Sequence, residues 1–582
     1  MRRLAKPDIP FIILLGTFAF YAAAYIYRTS FVLDGERYFS LFDDAMVSMT
    51  YARNLARGHG LVWYPGAARV EGYTNPLWVL FMAAIHLLPL VPSKVSLIVQ
   101  LVGALLLAAN LVAVRRLAGL LAPGSTFAGL AAPLLCAFYL PLNTWGLQGT
   151  EVSLLALIVT TAAWQALRAL RTLKPAMGLY LLLGAATLVR LDMAVSGVAV
   201  MAYLAVMDRE NRRRHLLSGL GVLALFILGQ TLLRCWYYGD PLPNTYYLKM
   251  TGYPVLLRMG RGLYVALEFA WPIAWLLIVT GLGALFFRRD RQLPLLVWLL
   301  AAQVAYSVYV GGDAWEWWGG ANRYIATAMP AFFVAFVCVV TRVSALATAL
   351  IRVPQQVVRI MRTKDHHGAA GSAETTEWEG CPVPSHSVDS AAFCALCGSG
   401  SLPAEKRPEG ALLYARWGVV ALAFVSLTSF QPGPEGRQTP ADWLLLNPPL
   451  HVAGNRDTAT IARLVRQVTT PEARVGVVWA GAIPYFSERP CVDLLGKNDR
   501  VIAHLPMRLS QKESRSTDFY PGHLKWDYAY SLDELRPDLV VQLWQAPWEA
   551  QPFLDALYVK VNVEGFDLYL LKGSDKVLWE KV

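Results

Sequence analysis

Apolar stretches of about 20 residues recur along the chain, and short clusters of arginine and lysine punctuate them. A segment of that length matches the hydrocarbon thickness of a bilayer, where each backbone polar group must be satisfied within the segment. The chain is therefore confined to a bundle of membrane-spanning helices. Of its 582 residues, 55% are hydrophobic and only 16% charged, which is membrane-like rather than globular. The net charge of +11 would suit a nucleic acid, but the basic residues sit in loops between apolar runs. That is the positive-inside pattern, and it explains the charge with the lipid bilayer as partner and no nucleic acid.

The first span covers about Ile9–Arg28 and follows Arg2, Arg3 and Lys6, which places the N-terminus in the cytoplasm. Its small-residue cluster, Ala22-Ala23-Ala24, lies within the apolar run, so the segment reads as retained rather than cleaved. Pro76–Leu90 is apolar but short, and is read as an interfacial or re-entrant helix on the outer side. Further spans follow at about Val95–Val114, Phe127–Leu142, Val152–Leu167, Met177–Val189 and Met193–Val206. The next are Leu217–Leu233, Leu263–Phe286, Leu293–Tyr309, Arg323–Val340 and Ala411–Phe430, about 11 in all. With Pro76–Leu90 kept outside, Arg115-Arg116, Arg168–Lys174, Arg209–Arg214, Arg288–Arg291 and Arg342 all fall on one side.

This divides the chain into a transmembrane module at 1–350 with an outer loop at 30–93, an insert at 351–410, and a last span at 411–430. An extracytoplasmic α/β domain occupies 431–582. The insert is low in complexity and cytoplasmic. Its Cys381, His386, Cys394 and Cys397 have zinc-binding chemistry without the spacing of a compact finger, so free thiols are the expected state. In the last domain, Arg474–Trp479, Asp538–Leu543 and Phe566–Leu571 read as strands and Asp457–Val468 as a helix. The fold class is thus an α-helical polytopic membrane protein with a C-terminal α/β domain.

Leu41–Leu80 is the most informative loop. Asp43 and Asp44 open an amphipathic helix, with apolar Met46, Met49, Ala52 and Leu55 on one face and Ser48, Arg53, Asn54 and Arg57 on the other. The helix dipole favours acids at that end. Glu71, Tyr73, Asn75 and Trp78 follow. Ionisable residues near span ends are costly and usually paired or functional. Here Asp43, Asp44, Glu151, Arg190, Asp192, Lys249, Asp313 and Arg323 share the outer side, in five separate loops. A shared polar cavity is expected, with Asn244 and Tyr246 at its edge. Carboxylates suit a base that takes a proton from a hydroxyl, and arginine or lysine suits a departing phosphate. Lys249, Arg323 and Arg190 are the phosphate candidates. Tyr73, Trp78, Tyr246, Trp315, Trp317 and Trp318 suit the faces of sugar rings, or the interfacial belt. Two adjacent acids also leave a divalent cation possible, though no cofactor is required. There is no Walker loop, Rossmann glycine pattern or HExxH, so nothing supports nucleotide-driven or zinc-protease chemistry.

The motifs FDDAMVSMTYARNLARGHGLVWYPG, VEGYTNPLW, GLQGTE, LVRLD, LPNTYYLK, GGD and AGAIPYFSERPCVDLLGKND span nearly the whole chain except the insert. Together they resemble the polytopic glycosyltransferases of the GT-C class, which use lipid-phosphate-linked sugars. The nearest likeness is to the bacterial branch that contains the terminal arabinofuranosyltransferases of mycobacterial cell-wall synthesis. The resemblance implies a catalytic carboxylate in the first outer loop, falling on Asp43 or Asp44, with Asp43 at the first position of the pair. It also implies a multi-pass protein of the bacterial plasma membrane. Where the related pattern usually reads GLET, this chain has Gly146-Leu147-Gln148-Gly149-Thr150-Glu151, which displaces the glutamate. The insert is atypical as well.

The expected function is an inverting transfer of one sugar from a polyprenyl-phosphate carrier to a glycan, lipid or protein acceptor on the outer face. Asp43 would act as base with Asp44 in support, and Glu71, Tyr73, Asn75, Glu151, Asp192, Asn244, Tyr246 and Asp313 would contact substrate. In the last domain, Tyr485, Asp493 and Asp499 are candidates for the acceptor. The alternatives are an oligosaccharyl transferase using a diphosphate-linked donor, and a lipid or sugar transporter. Transporters often show paired repeats and midplane charges, and this chain shows neither.

Overall fold

The computed structural model describes residues 8–174, 177–318, 322–367, 407–428, 440–508 and 519–582. Cys381, His386, Cys394 and Cys397 lie outside them. Seven described helices are long and apolar enough to cross a membrane. They are α1 (Ile9–Thr29), a helix at Pro92–Leu121, another at Val152–Thr172, and those at Arg212–Tyr238, Leu293–Val310, Met329–Ala349 and Gly410–Thr428. Two bent pairs raise the number to nine. The remaining two of the expected spans are the shorter apolar helices Met177–Val189 and Leu191–Met207.

The breaks follow proline. The expected span Leu263–Phe286 is two helices, Val255–Ala270 and Ala274–Phe286, bent by 90° around Trp271-Pro272-Ile273. Pro272 donates no hydrogen bond and its ring clashes with the preceding turn. Likewise Phe127–Leu142 is divided into Thr126–Ala137 and Leu140–Leu147, at 57°, with Pro141 in the first turn of the second piece. The expected span Arg323–Val340 begins later, at Met329, after a separate turn at Arg323–Ala326. That separate turn frees Arg323 from the span.

The chain divides into two units, one of them Val340–Ala421. Its described part consists of helix, belonging to Met329–His367 and Arg407–Thr428. The other unit comprises Met1–Val339 and Leu422–Val582, so the C-terminal α/β domain belongs to one compact body with the first ten expected spans. The reason is a shared core. The helix α2 (Asp43–Ala56) and α3 (Pro76–His86) contribute Met46, Met49, Val79 and Met82, and the domain adds Ile461, Val465, Val475, Ile483 and Leu539. The expected amphipathic character of α2 is therefore not expressed as a wet face. Ser48, Arg53 and Asn54 are buried with the rest. Arg53 donates to the carbonyls of Tyr485 and Pro484 and pairs with Glu488, which satisfies its charge inside the interface.

After α1 comes a short antiparallel hairpin of β1 (Phe31–Leu33) and β2 (Glu36–Tyr38). Five further strands form the domain's sheet in the order β4-β3-β5-β7-β6, where β3 is Val475–Val477, β4 Cys491–Asp493, β5 Leu539–Val540, β6 Tyr558–Val563 and β7 Phe566–Leu571. The strands β3, β4 and β5 are parallel and buried throughout, as in a parallel sheet covered on both faces. The strands β6 and β7 close a hairpin through Glu564-Gly565, both at positive φ, the backbone of a type I′ turn.

Candidate active site

The acidic pair occupies the first turn of α2, and Phe42 before it is clamped edge-on against Trp145, Trp315 and His451, at centroid distances of 4.4–5.0 Å. This anchor fixes where the two carboxylates point, and they diverge. Asp44 lines a cavity of about 370 Å³, together with Tyr73, Asn75, Glu151, Arg190, Asp192, Tyr246, Lys249, Arg323 and Lys497. Asp43 lines a neighbouring cavity of about 40 Å³, whose walls include Trp315, Trp479, Asp493 and His523. Asp44, Lys249 and Lys497 border both. Sequence alone placed the two acids in one cavity; the fold lets both line the small cavity, and only Asp44 also lines the large one.

Their electrostatics differ accordingly. Asp43 Oδ1 accepts the backbone N–H groups of Gly481 (3.2 Å) and Ala482 (3.1 Å). A Cβ at Gly481 would overlap the Asp43 carbonyl, so only glycine permits this approach. Burial pushes the Asp43 carboxyl up to about 6, against the pull of Lys497 and those two donors. Burial acts on Asp44 too, but Lys497, Arg323 and Lys249 outweigh it and hold Asp44 well below the usual carboxylate range. Asp44 Oδ1 takes Lys497 Nζ and Oδ2 takes Arg323 Nη1 at 3.2 Å. With both oxygens engaged by cations, Asp44 is not arranged for a divalent ion. No group of three or more His, Cys, Asp or Glu side chains converges among the described residues.

The basic residues divide into bound and free. Arg323 is bidentate to Asp313, at 2.8 and 3.0 Å, and rests over the Trp145 ring. Arg190 is held by Asp192 and by Glu151 (3.0 Å), and Glu151 also accepts from Asn75 (2.8 Å). These two arginines are organising charges whose partners are already in place. Lys249, on the helix Asn244–Met250, forms no ion pair within 4 Å among the described residues. Burial lowers its ammonium to about 8 despite the nearby Asp44.

Several other candidates have their side chains elsewhere. Glu71 lies behind the cavity wall, paired with Arg234 at 2.6 Å. Trp78 is buried and donates to the Gly149 carbonyl. Asn244 donates to the carbonyls of Gly496 (2.9 Å), Lys497 (3.0 Å) and Asp499 (3.2 Å), which ties the transmembrane module to a loop of the C-terminal domain. Tyr485 contacts His86 and Arg53 rather than either cavity. Asp499 caps the short helix Arg500–His504. Asp493, unlike these, does border the small cavity, but its carboxylate accepts from the backbones of Leu495, Gly496 and Asn498 and folds that loop. The side chains of Trp317 and Trp318 lie outside the described residues.

Lys497 was missed. It sits in the quoted GKND segment, but its partner Asp44 is 453 positions away, and no local pattern links them. Arg261 was missed for the same reason. It is fully buried, pairs with Glu316 (3.1 Å) and binds the Asp313 carbonyl, which fixes the loop that carries Asp313.

The architecture is a bundle of apolar helices with an acid pair in the loop after the first, covered by an α/β domain. In solved structures the chain is similar to ArnT from Cupriavidus metallidurans in its apo state, with a TM-score of 0.51 and 14% identity over 96% of this chain and 97% of that one. The same protein bound to undecaprenyl phosphate gives 0.50 and 13%, over 98% and 99%. An oligosaccharyltransferase from Archaeoglobus fulgidus gives 0.49 and 12%, over 97% and 75%. A family described as a domain of unknown function, DUF8728, matches residues 450–575. No curated protein sequence matches the chain.

Proposed function

We propose that the protein is an inverting glycosyltransferase that moves a sugar from a polyprenyl-monophosphate carrier to an acceptor hydroxyl on the outer face of the bacterial plasma membrane. The observation that carries this reading is the pair of adjoining cavities, which Asp44, Lys249 and Lys497 border in common. The ammonium of Lys249, outside any ion pair among the described residues, borders both cavities, while Asp43, its carboxyl raised to about 6, lines the small one. The donor phosphate would bind Lys249 in the large cavity, near span ends that give a lipid tail access to the bilayer. The acceptor hydroxyl would approach Asp43 from the other side. Its oxygen attacks the anomeric carbon, the bond from that carbon to the phosphate oxygen breaks, and the hydroxyl proton passes to Asp43. Polyprenyl phosphate leaves with the electron pair, and attack opposite the leaving group inverts the centre. Asp44, already ionised, holds Arg323 and Lys497 around the phosphate. The undecaprenyl phosphate bound by ArnT is in keeping with such a carrier.

The test is transfer by purified protein from radiolabelled polyprenyl-monophosphate sugars, arabinofuranosyl first, with membrane extract supplying the acceptor. Label that moves to product only with wild type supports the proposal. Consumption of diphosphate-linked oligosaccharide instead would establish the oligosaccharyl-transfer reading, and movement of substrate across vesicles without bond formation the transporter.

Lys249→Met is expected to reduce kcat/KM roughly ten- to a hundredfold, mostly through the donor KM, because one charge-assisted hydrogen bond of about 1.5–3 kcal/mol is lost. Lys249 must be charged to hold phosphate, so wild-type activity falls as pH rises through about 8. Lys249→Arg should move that alkaline limb upward, because a guanidinium stays charged.

A further inference from the structure

The C-terminal domain is joined to the acidic pair by a specific loop, 493–499. Inside this loop, the Asp493 carboxylate accepts N–H groups from Leu495 (3.0 Å), Gly496 (3.1 Å) and Asn498 (2.7 Å), so the turn is held from within. Gly496 takes φ +80°, which a side chain would strain. From the transmembrane module, the Asn244 amide spans three of the loop's carbonyls, and Tyr51 Oη donates to Asn498 Oδ1 at 3.1 Å. Gly72 is the point of closest approach, since a Cβ there would overlap the Asn498 amide. These contacts make a rigid seat, and Lys497 projects from it to Asp44 Oδ1. Its side chain is 18% exposed, and Asp44's is 26%.

A loop that only fastened two domains would have no use for a lysine that borders both cavities. Packing is already supplied by the apolar core around Val475 and Ile483, and the polar fastening by Asn244 and Tyr51. We infer that this loop completes the reaction centre from the C-terminal domain, with Lys497 as the positioning residue that fixes the acidic pair. The inference rests on the transferase reading above. It means that the domain covering 450–575 takes part in the chemistry as well as in holding an acceptor.

The charged and titratable groups that border the small cavity around Asp43 are Asp44 on its own helix, Lys249 on Asn244–Met250, and Asp493, Lys497 and His523 from the C-terminal domain. Lys497 exerts the largest downward pull on Asp43. Removing its charge therefore raises the pH at which Asp43 becomes a base. A mere fastener would leave that pH unchanged.

The experiment measures the pH dependence of kcat/KM with full-length protein and a polyprenyl-monophosphate sugar. Wild type should lose activity below about pH 6. In Lys497→Gln this acid limb should move up by about one pH unit, read as a roughly sixfold extra loss at pH 5.5 beyond the loss at pH 7.5. Lys497→Arg should restore the wild-type limb. Asn244→Ala keeps every charge but loosens the seat, and should shift the limb the same way by less. It carries the test if Lys497→Gln does not fold. A limb that stays at the wild-type position in both variants, with only a lower rate or melting temperature, reduces Lys497 to a fastener and overturns the inference. Wild type that transfers nothing overturns the transferase reading, and the inference falls with it.

Discussion

Asp43→Asn is expected to lower kcat/KM by roughly 10²–10⁴-fold, the usual contribution of a positioned general base. Expression and thermal unfolding should stay near wild type, because asparagine keeps the oxygen that accepts from Gly481 and Ala482. The closeness of the fit at Gly481 also keeps the substituted side chain in place. The effect has a pH signature. A base is active when deprotonated, and burial raises Asp43 to about 6, so wild-type activity should climb through that pH. Asp43→Asn should leave a low, flat residue with no acid limb. Steady-state transfer between pH 5 and 8 measures both features. Activity within tenfold of wild type would remove Asp43 from the chemistry.

Arg323→Met is the substitution with the largest expected effect on stability. Arg323 is 7% exposed, and its guanidinium compensates Asp313, itself 1% exposed, and one oxygen of Asp44. Methionine fills much of the space but leaves a buried carboxylate without its cation. Breaking a buried pair from one side costs about 3–5 kcal/mol, because the remaining charge stays desolvated. The unfolding transition in detergent should drop accordingly, and transfer should fail at temperatures that wild type tolerates. The double variant Arg323→Met with Asp313→Leu removes both charges of the principal pair. It should recover most of the stability but not the activity, since Asp44 then lacks the charge that helps hold it. Thermal unfolding of the three proteins measures the difference. Equal destabilisation by the single and double changes would show that the pair itself contributes little.

Much of the architecture was legible because bilayers impose a simple code. Apolar length, proline position and basic clusters locate helices without tertiary information, and the runs at Ile9–Arg28 and Leu293–Tyr309 match helices within one residue at either end. Where length alone guided the reading, as at Leu263–Phe286, the proline within the run divided it. The short strands β4 and β6 were not foreseen. Cys491–Asp493 is only three residues long, and Tyr558–Val563 alternates apolar and polar residues in a way that a surface loop also can.

The sequence by itself determined that the chain is a polytopic helical protein, that an α/β domain follows its last span, and that an acidic pair stands at the head of a helix after the first. These are local properties, set by composition and spacing over a few turns. Tertiary structure alone decided what the pair faces. It turned Asp43 toward the C-terminal domain, let Asp44 reach the large cavity, paired Arg190 and Arg323 with carboxylates, and left Lys249 outside any ion pair among the described residues. It also brought Lys497 to Asp44 across 453 positions. The physical reason is that charge acts through distance and burial rather than chain order. Which acid is ionised, and which cation is free, is fixed only when the helices and the domain have closed around them.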